Sequence, residues 1–187
     1  MDKSVTKLRL ALCLLVFFVM PGLALADDVT SREYKIKAAY LYNLIKFIHW
    51  PTRTSRQSSS QDDIPQLATS ICVYGKNPFS QHLNKLTTRQ AKGRPIEISY
   101  IKKEEKLPRC DIVFIAKDSQ FPTEILNELF KQPLLTVGES RSFLNSGGII
   151  GLVVKNNKVQ LQINLTQAKT IGFEISGNLL EIAKYIK

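Results

Sequence analysis

Three runs in this chain are apolar in a way that leaves no wet face: residues 70–74 (Ser-Ile-Cys-Val-Tyr), 110–115 (Cys-Asp-Ile-Val-Phe-Ile) and 134–137 (Leu-Leu-Thr-Val). A strand of that kind must be covered on both sides, and parallel sheets flanked by helices are where this happens. Residues 96–101 add a strand of alternating pattern, and residues 77–86 and 122–130 are helix-type segments between the runs. This strand–helix–strand order predicts an α/β fold, a mainly parallel sheet covered by helices in a three-layer sandwich. After Val137 the texture changes. Residues 140–145 predict a helical turn closed by Gly147-Gly148, and residues 149–155 and 158–164 flank Asn156-Asn157. Asparagine tolerates positive φ, so a two-residue β-hairpin is expected there. Val159, Leu161 and Ile163 alternate with Lys158, Gln160 and Gln162, which gives that hairpin one buried face and one wet one. Helices over 166–170 and 176–186 complete the pattern, without an internal repeat.

The clearest helix is predicted over residues 31–49. Ser31 is its cap, and Ile36, Tyr40, Leu41, Leu44, Ile45 and Ile48 recur at three- and four-residue spacing to make one apolar face. Trp50-Pro51 stops it, because the residue before proline is pushed out of helical geometry. Tyr34, Tyr40, Tyr42, Phe47 and Trp50 are either core residues or interface anchors, and core is the commoner fate of such a stripe. Residues 52–66, rich in Ser, Gln and Asp, predict an exposed loop.

Ahead of that helix stands a segment with the features of a secretory leader. Lys3, Lys7 and Arg9 precede an apolar run from Leu10 to Met20; Pro21-Gly22 follows, and then Ala24-Leu25-Ala26, an A-x-A cleavage site. The run is short of the roughly 20 apolar residues of a membrane span. We therefore expect residues 1–26 to be removed and residues 27–187 to form a single domain. The whole chain carries +10; without the leader, 161 residues with 23 basic and 15 acidic side chains keep +8. That charge is scattered, with no run of five, so nucleic acid is not an expected partner. Export also removes Cys13 and leaves Cys72 and Cys110. Two cysteines in an oxidising compartment are expected to pair, and strands holding them can be neighbours in such a sheet. The alternative is two unrelated buried thiols. A closure of this length contributes roughly 4 kcal/mol on the loop-entropy model.

No reaction site emerges. His49 and His82 are the only histidines, and neither belongs to an H-E-x-x-H pattern. His49 is expected to be solvated or to sit on the C-terminal dipole of its helix. Ser80 has no G-x-S-x-G elbow, Gly75-Lys76 lacks the rest of a P-loop, and Gly147-Gly148 with Gly151 makes no G-x-G-x-x-G fingerprint. Asp62-Asp63 and Glu104-Glu105 are adjacent pairs without further ligands. We expect no catalytic residue, no cofactor and no metal, and read the chain as a binding protein rather than an enzyme.

Three blocks carry a resemblance. They are Glu33-Tyr34-Lys35-Ile36-Lys37 through Tyr42-Asn43 with Lys46-Phe47-Ile48-His49-Trp50-Pro51; Ile71-Cys72-Val73-Tyr74-Gly75-Lys76-Asn77-Pro78-Phe79; and Leu135-Thr136-Val137-Gly138-Glu139 with Phe143, Gly147-Gly148, Asn157-Lys158-Val159, Ile163-Asn164-Leu165 and Leu179-Leu180. In this combination and order the chain resembles the YfiR family of periplasmic proteins. The resemblance implies a Rossmann-like α/β fold and a non-catalytic, often dimeric regulator. Such regulators bind and repress the periplasmic sensor portion of an inner-membrane diguanylate cyclase, which lowers cyclic-di-GMP and biofilm formation. It further implies release by an outer-membrane, peptidoglycan-binding partner or by disturbance of disulfides. Cys72 and Cys110 match family cysteines; the second cysteine pair of some members has no counterpart here. A small-ligand binding protein of the periplasm is the alternative reading.

Overall fold

The computed structural model describes residues 24–51, 68–102, 105, 107–117, 119 and 127–186. The chain divides into two units, Met1–Arg32 and Glu33–Lys187, and the second carries the sheet. The expected leader and the expected loop over 52–66 lie almost wholly outside the described residues, as does most of the expected helix 122–130, of which residues 127–129 are helical.

Helix α1, Ala24–Phe47, begins seven residues before the expected cap Ser31. It ends where Ile48–His49 turn into a short strand, β1. The main sheet is built from β2 (Thr69–Tyr74), β3 (Gln90–Ala91), β4 (Arg94–Ile101), β5 (Ile112–Ile115), β6 (Leu135–Gly138), β7 (Ile150–Lys155), β8 (Lys158–Ile163) and β10 (Tyr185–Ile186). Between them stand α2 (Arg141–Asn145), α3 (Leu165–Ile171), β9 (Glu174–Ile175) and α4 (Gly177–Ile182). Strand order across the sheet is β10-β8-β7-β6-β5-β2-β4-β3.

The expectation of an α/β fold holds, but the sheet is mixed. Its middle, from β7 to β4, is parallel, whereas β7 and β8 are antiparallel and β3 folds back antiparallel on β4. Both reversals sit at tight turns. Asn156 and Asn157 adopt φ of 51° and 57°, as a two-residue hairpin requires, and Lys92-Gly93 do the same at 52° and 74°. The first turn was predictable; the second was not, because its strand β3 has only two residues. β10 returns parallel to β8, replacing the end of the helix expected over 176–186. β1 pairs with β9 in a separate two-stranded ribbon.

Alternation along the strands divides the apolar residues between two faces. Ile71, Val73, Ile112, Phe114, Leu135 and Val137 belong to the larger cluster, together with Ala38, Leu41, Leu44, Ile45 and Ile48 of α1 and β1. Cys72, Tyr74, Val113 and Ile115 point the other way and cluster with Ile101, Cys110, Leu129 and Leu134. Each fully buried Leu, Ile or Phe contributes about 1.5–3 kcal/mol, so the larger cluster dominates the stability. The buried stripe of α1 is displaced from the expected one: Ile36 is exposed and Lys37 is buried. The expected helix 77–86 is a series of turns with one 3-10 turn at Asn84–Leu86. Asn77 explains this, since its Oδ1 accepts from Phe79 N at 2.9 Å and offers the backbone an alternative to helix.

Candidate functional site

The sheet changes direction of growth beside β2. The chain leaves β2 to build β4 on one side, then returns to place β5 on the other. In open α/β sheets the carboxyl ends of the strands at such a point are where ligands and partners gather. Here those ends are Tyr74-Gly75 and Ile115-Ala116. They are drawn tightly together. Gly75 has a φ of +94°, and a Cβ there would stand 2.7 Å from Ser119 Cβ, so both conformation and space call for glycine.

Residues from all three sequence blocks meet above these strand ends. From α1 come Glu33, Tyr34 and Lys37; from the turn after β2 comes Phe79; from the end of β6 comes Glu139. The Lys37 ammonium is 2% exposed and bridges the carboxylates of Glu33 and Glu139, the latter 3% exposed. It also lies 4.5 Å from the centre of the Tyr34 ring. The second oxygen of Glu139 accepts from Lys117 N at 2.6 Å. A buried ammonium is costly unless it is paired and hydrogen-bonded, and two carboxylates with an aromatic face meet that need. Tyr34 stacks edge-on against Phe79, with ring centres 5.3 Å apart, and Phe79 in turn against Phe114 at 4.7 Å. The cluster pins α1 to the ends of β5 and β6 by charge and by aromatic packing together.

Beside it, a cavity of about 180 Å³ opens between the ends of β5 and β6, with Ser119, Glu139, Ser140 and Phe143 in its wall. Phe143 is seated by two glycines. A Cβ on Gly138 would come to 2.5 Å from its ring, and one on Gly148 to 2.1 Å. Ser140 Oγ accepts from Phe143 N at 3.1 Å and caps α2.

The second candidate feature is the disulfide. Cys72 on β2 and Cys110, two residues ahead of β5, are joined with Cα atoms 6.0 Å apart. The expected disulfide between neighbouring strands is therefore present. Both sulfurs are buried, and a cavity of about 350 Å³ runs beside Cys110 between Leu107, Pro108, Leu129 and Pro133. Next to Cys110, at the same amino end of β5, Asp111 holds the register: its carboxylate accepts from Ser70 N at 2.9 Å and Ser70 Oγ at 3.1 Å.

The residues singled out for possible chemistry do not assemble. His49 is exposed on β1 opposite Glu174, and His82 lies in the turns after Phe79. Among the described residues no group of three His, Cys, Asp or Glu is placed to hold a metal, and no helix is long and apolar enough to cross a membrane. The aromatics of α1 and its end, Tyr34, Tyr40, Tyr42, Phe47 and Trp50, are half-buried and packed on the larger core. Sequence reasoning missed Lys37 and Glu139 as a pair. They are 102 residues apart, and a lysine in a helix gives no sign of burial.

No curated protein matches the chain. Among solved structures, a conserved domain protein from Vibrio cholerae O1 biovar El Tor is similar at 15% identity, with a TM-score of 0.45; the match covers 64% of this chain and 55% of that one. The model of the family described as YfiR/HmsC-like matches residues 34–184, which takes in α1 from Tyr34 onward, both strand ends, Lys37 and Glu139, and the disulfide. The chain belongs to the YfiR/HmsC-like family.

Proposed function

We propose that the chain is a periplasmic regulatory protein that binds the periplasmic portion of an inner-membrane diguanylate cyclase and represses it. Cyclic-di-GMP and biofilm formation fall as a result. The observation that carries this reading is the family match over residues 34–184. The Cys72–Cys110 disulfide supports an oxidising compartment. On this reading residues 1–26 are a cleaved leader, residues 27–187 are one domain that acts as a homodimer, and no step is catalytic. A regulator of this kind works by binding one state of its receptor better than another. An outer-membrane peptidoglycan-binding protein would relieve repression by competing for it.

The test is cellular cyclic-di-GMP in a deletion strain and in the same strain complemented. A rise on deletion, reversed by complementation, is expected. Unchanged levels under several envelope stresses would reject the reading. A small-ligand binding protein is favoured instead by one observation, the cavity of about 350 Å³ beside Cys110, which falls in the size range of ligand pockets. A metabolite screen by thermal shift distinguishes the two, since a ligand of the native state must raise the melting temperature.

A further inference from the structure

Strand β4 is an edge for most of its length. β3 pairs with it only at Arg94 and Pro95, and among the described residues no strand lies beyond residues 96–101. Ile101 O accepts from Gly75 N at 2.9 Å, so the backbone groups of Ile101 face β2. Direction alternates along a strand, and the N–H and C=O of Ile96, Ile98 and Tyr100 therefore face outward. The edge is β-prone, and Tyr100 is 38% exposed on it. Natural edges are blunted with charges, above all lysine, with proline or with bulges; residues 96–101 have no lysine or proline and a single charge, Glu97.

The ends of the open stretch are fixed. On one side β3 fills the place opposite Arg94 and Pro95. On the other, the strand stops at Lys102, whose N–H donates to the Glu105 carboxylate at 3.1 Å and whose C=O accepts from Glu105 N. Residues 96–102 lie between these stops, and their midpoint is Ser99. They carry one acid, Glu97, and one base, Lys102, so two copies of the stretch do not repel although the chain as a whole is strongly basic.

We infer that this edge joins two copies of the chain, antiparallel, about a two-fold axis through Ser99. The inference takes the homodimer of the proposed function and names its surface. In this register Ile98 lies opposite the partner copy's Tyr100, a β-branched residue against an aromatic one, and the two exchange their outward N–H and C=O groups. Any other centre of symmetry that keeps side chains on matching faces fits less well. Centred on Ile98, it drives the partner's Ile101 into the place of β3; centred on Tyr100, it sets Ile98 against the partner's Lys102, whose N–H and C=O are already bonded to Glu105, and leaves one hydrogen-bonded pair instead of two. Ser99 meets its own counterpart as a pair without mutual hydrogen bonds, where Cα atoms approach to about 4.5 Å. Its side chain is exposed in the single chain, so substitution there leaves the fold alone.

The experiment is sedimentation equilibrium on exported protein, comparing the wild type with Ser99→Lys, Ser99→Glu and their equimolar mixture. A wild-type monomer–dimer equilibrium is expected. Each variant should dimerise at least about tenfold more weakly, because like charges meet at the axis, and the mixture should regain wild-type strength. Val154→Lys, an exposed change on β7, should match the wild type. Wild-type protein that stays monomeric at every concentration would overturn the inference. So would variants that dimerise normally, or a mixture no stronger than its parts. Ser99→Arg and Ser99→Asp give a second pair should either first variant lose its far-ultraviolet signal. Binding of the cyclase portion to Ser99→Lys is read separately: lost dimerisation with retained binding separates this surface from the regulatory one.

Discussion

The two faces of the sheet are held by different means. On one, α1 and β1 lay a stripe of Leu41, Leu44, Ile45 and Ile48 over Ile71, Val73, Phe114 and Val137, and a single charged cluster, Lys37 with Glu33 and Glu139, marks the end of that contact. On the other, a smaller apolar cluster is fastened by a covalent bond between Cys72 and Cys110. The difference teaches that this fold spends polarity where apolar area is plentiful and a crosslink where it is scarce. A small apolar cluster contributes less on its own, and a disulfide makes up for it by limiting the unfolded chain.

The sharpest way to break the helix-covered face is Lys37→Ala. It leaves Glu139, 3% exposed, without its cation, and the uncompensated charge is expected to cost about 3–5 kcal/mol. Chemical denaturation of the purified protein reads this directly. Lys37→Met paired with Glu139→Gln keeps volume and removes both charges, so it should recover most of the loss. If the double change is no better than the single one, charge pairing is not what fastens this end of α1.

On the opposite face, Cys72→Ala with Cys110→Ala is expected to lose roughly 4 kcal/mol, close to the effect of reductant on the wild type. Hydrogen exchange separates the two faces. Loss of the disulfide should speed exchange in β5 and the segment before it more than in α1. Equal acceleration everywhere would mean that the two clusters unfold as one unit. A smaller effect is expected at α2, whose Phe143 packs on the smaller cluster. Gly148→Ala puts a Cβ 2.1 Å from the Phe143 ring and should cost about 1–3 kcal/mol, and Phe143→Leu in the same chain should relieve part of it.

The sequence made legible those parts of the fold that have a period or a turn signal. The apolar runs at β2, β5 and β6 could be nothing but covered strands, and Asn156-Asn157 announced the hairpin. β1, β3, β9 and β10 have two residues each, too few for any period, and they form only because the strand opposite is already in place. The helix expected over 77–86 failed because Asn77 and Ser80, the latter with φ of 51°, favour turns that the apolar spacing of Phe79, Leu83 and Leu86 does not reveal. Of the candidate site, the two cysteines were legible from compartment and count. Lys37–Glu139 was not, since a long-range ion pair leaves no local pattern. Nor was the open edge of β4, whose alternation says which face is buried but not which neighbour is missing.

The smallest effect belongs to that edge. Burial pushes the Tyr100 phenol above its ordinary value near 10, although a side-chain hydrogen bond from Asn77 works against the shift. Its hydroxyl also donates to Asn84 Oδ1 at 2.5 Å, a bond that only the protonated form can make. A group whose folded pKa is raised holds its proton more tightly in the native state, so its contribution is fully present below pH 10 and is lost as pH rises through the raised value. Stability should therefore decline across that alkaline window, and Tyr100→Phe should remove this part of the slope while leaving the slope below pH 10 unchanged. Lys92, whose ammonium donates to Ile48 O at 2.8 Å, is shifted the other way: desolvation lowers its pKa below 10.5, so the unfolded chain binds more protons between the two values and stability rises with pH there. The two groups oppose each other near pH 10. Melting curves of Tyr100→Phe and Lys92→Met across that range should diverge from the wild type in opposite directions, and divergence in the same direction would mean that neither group sets the slope.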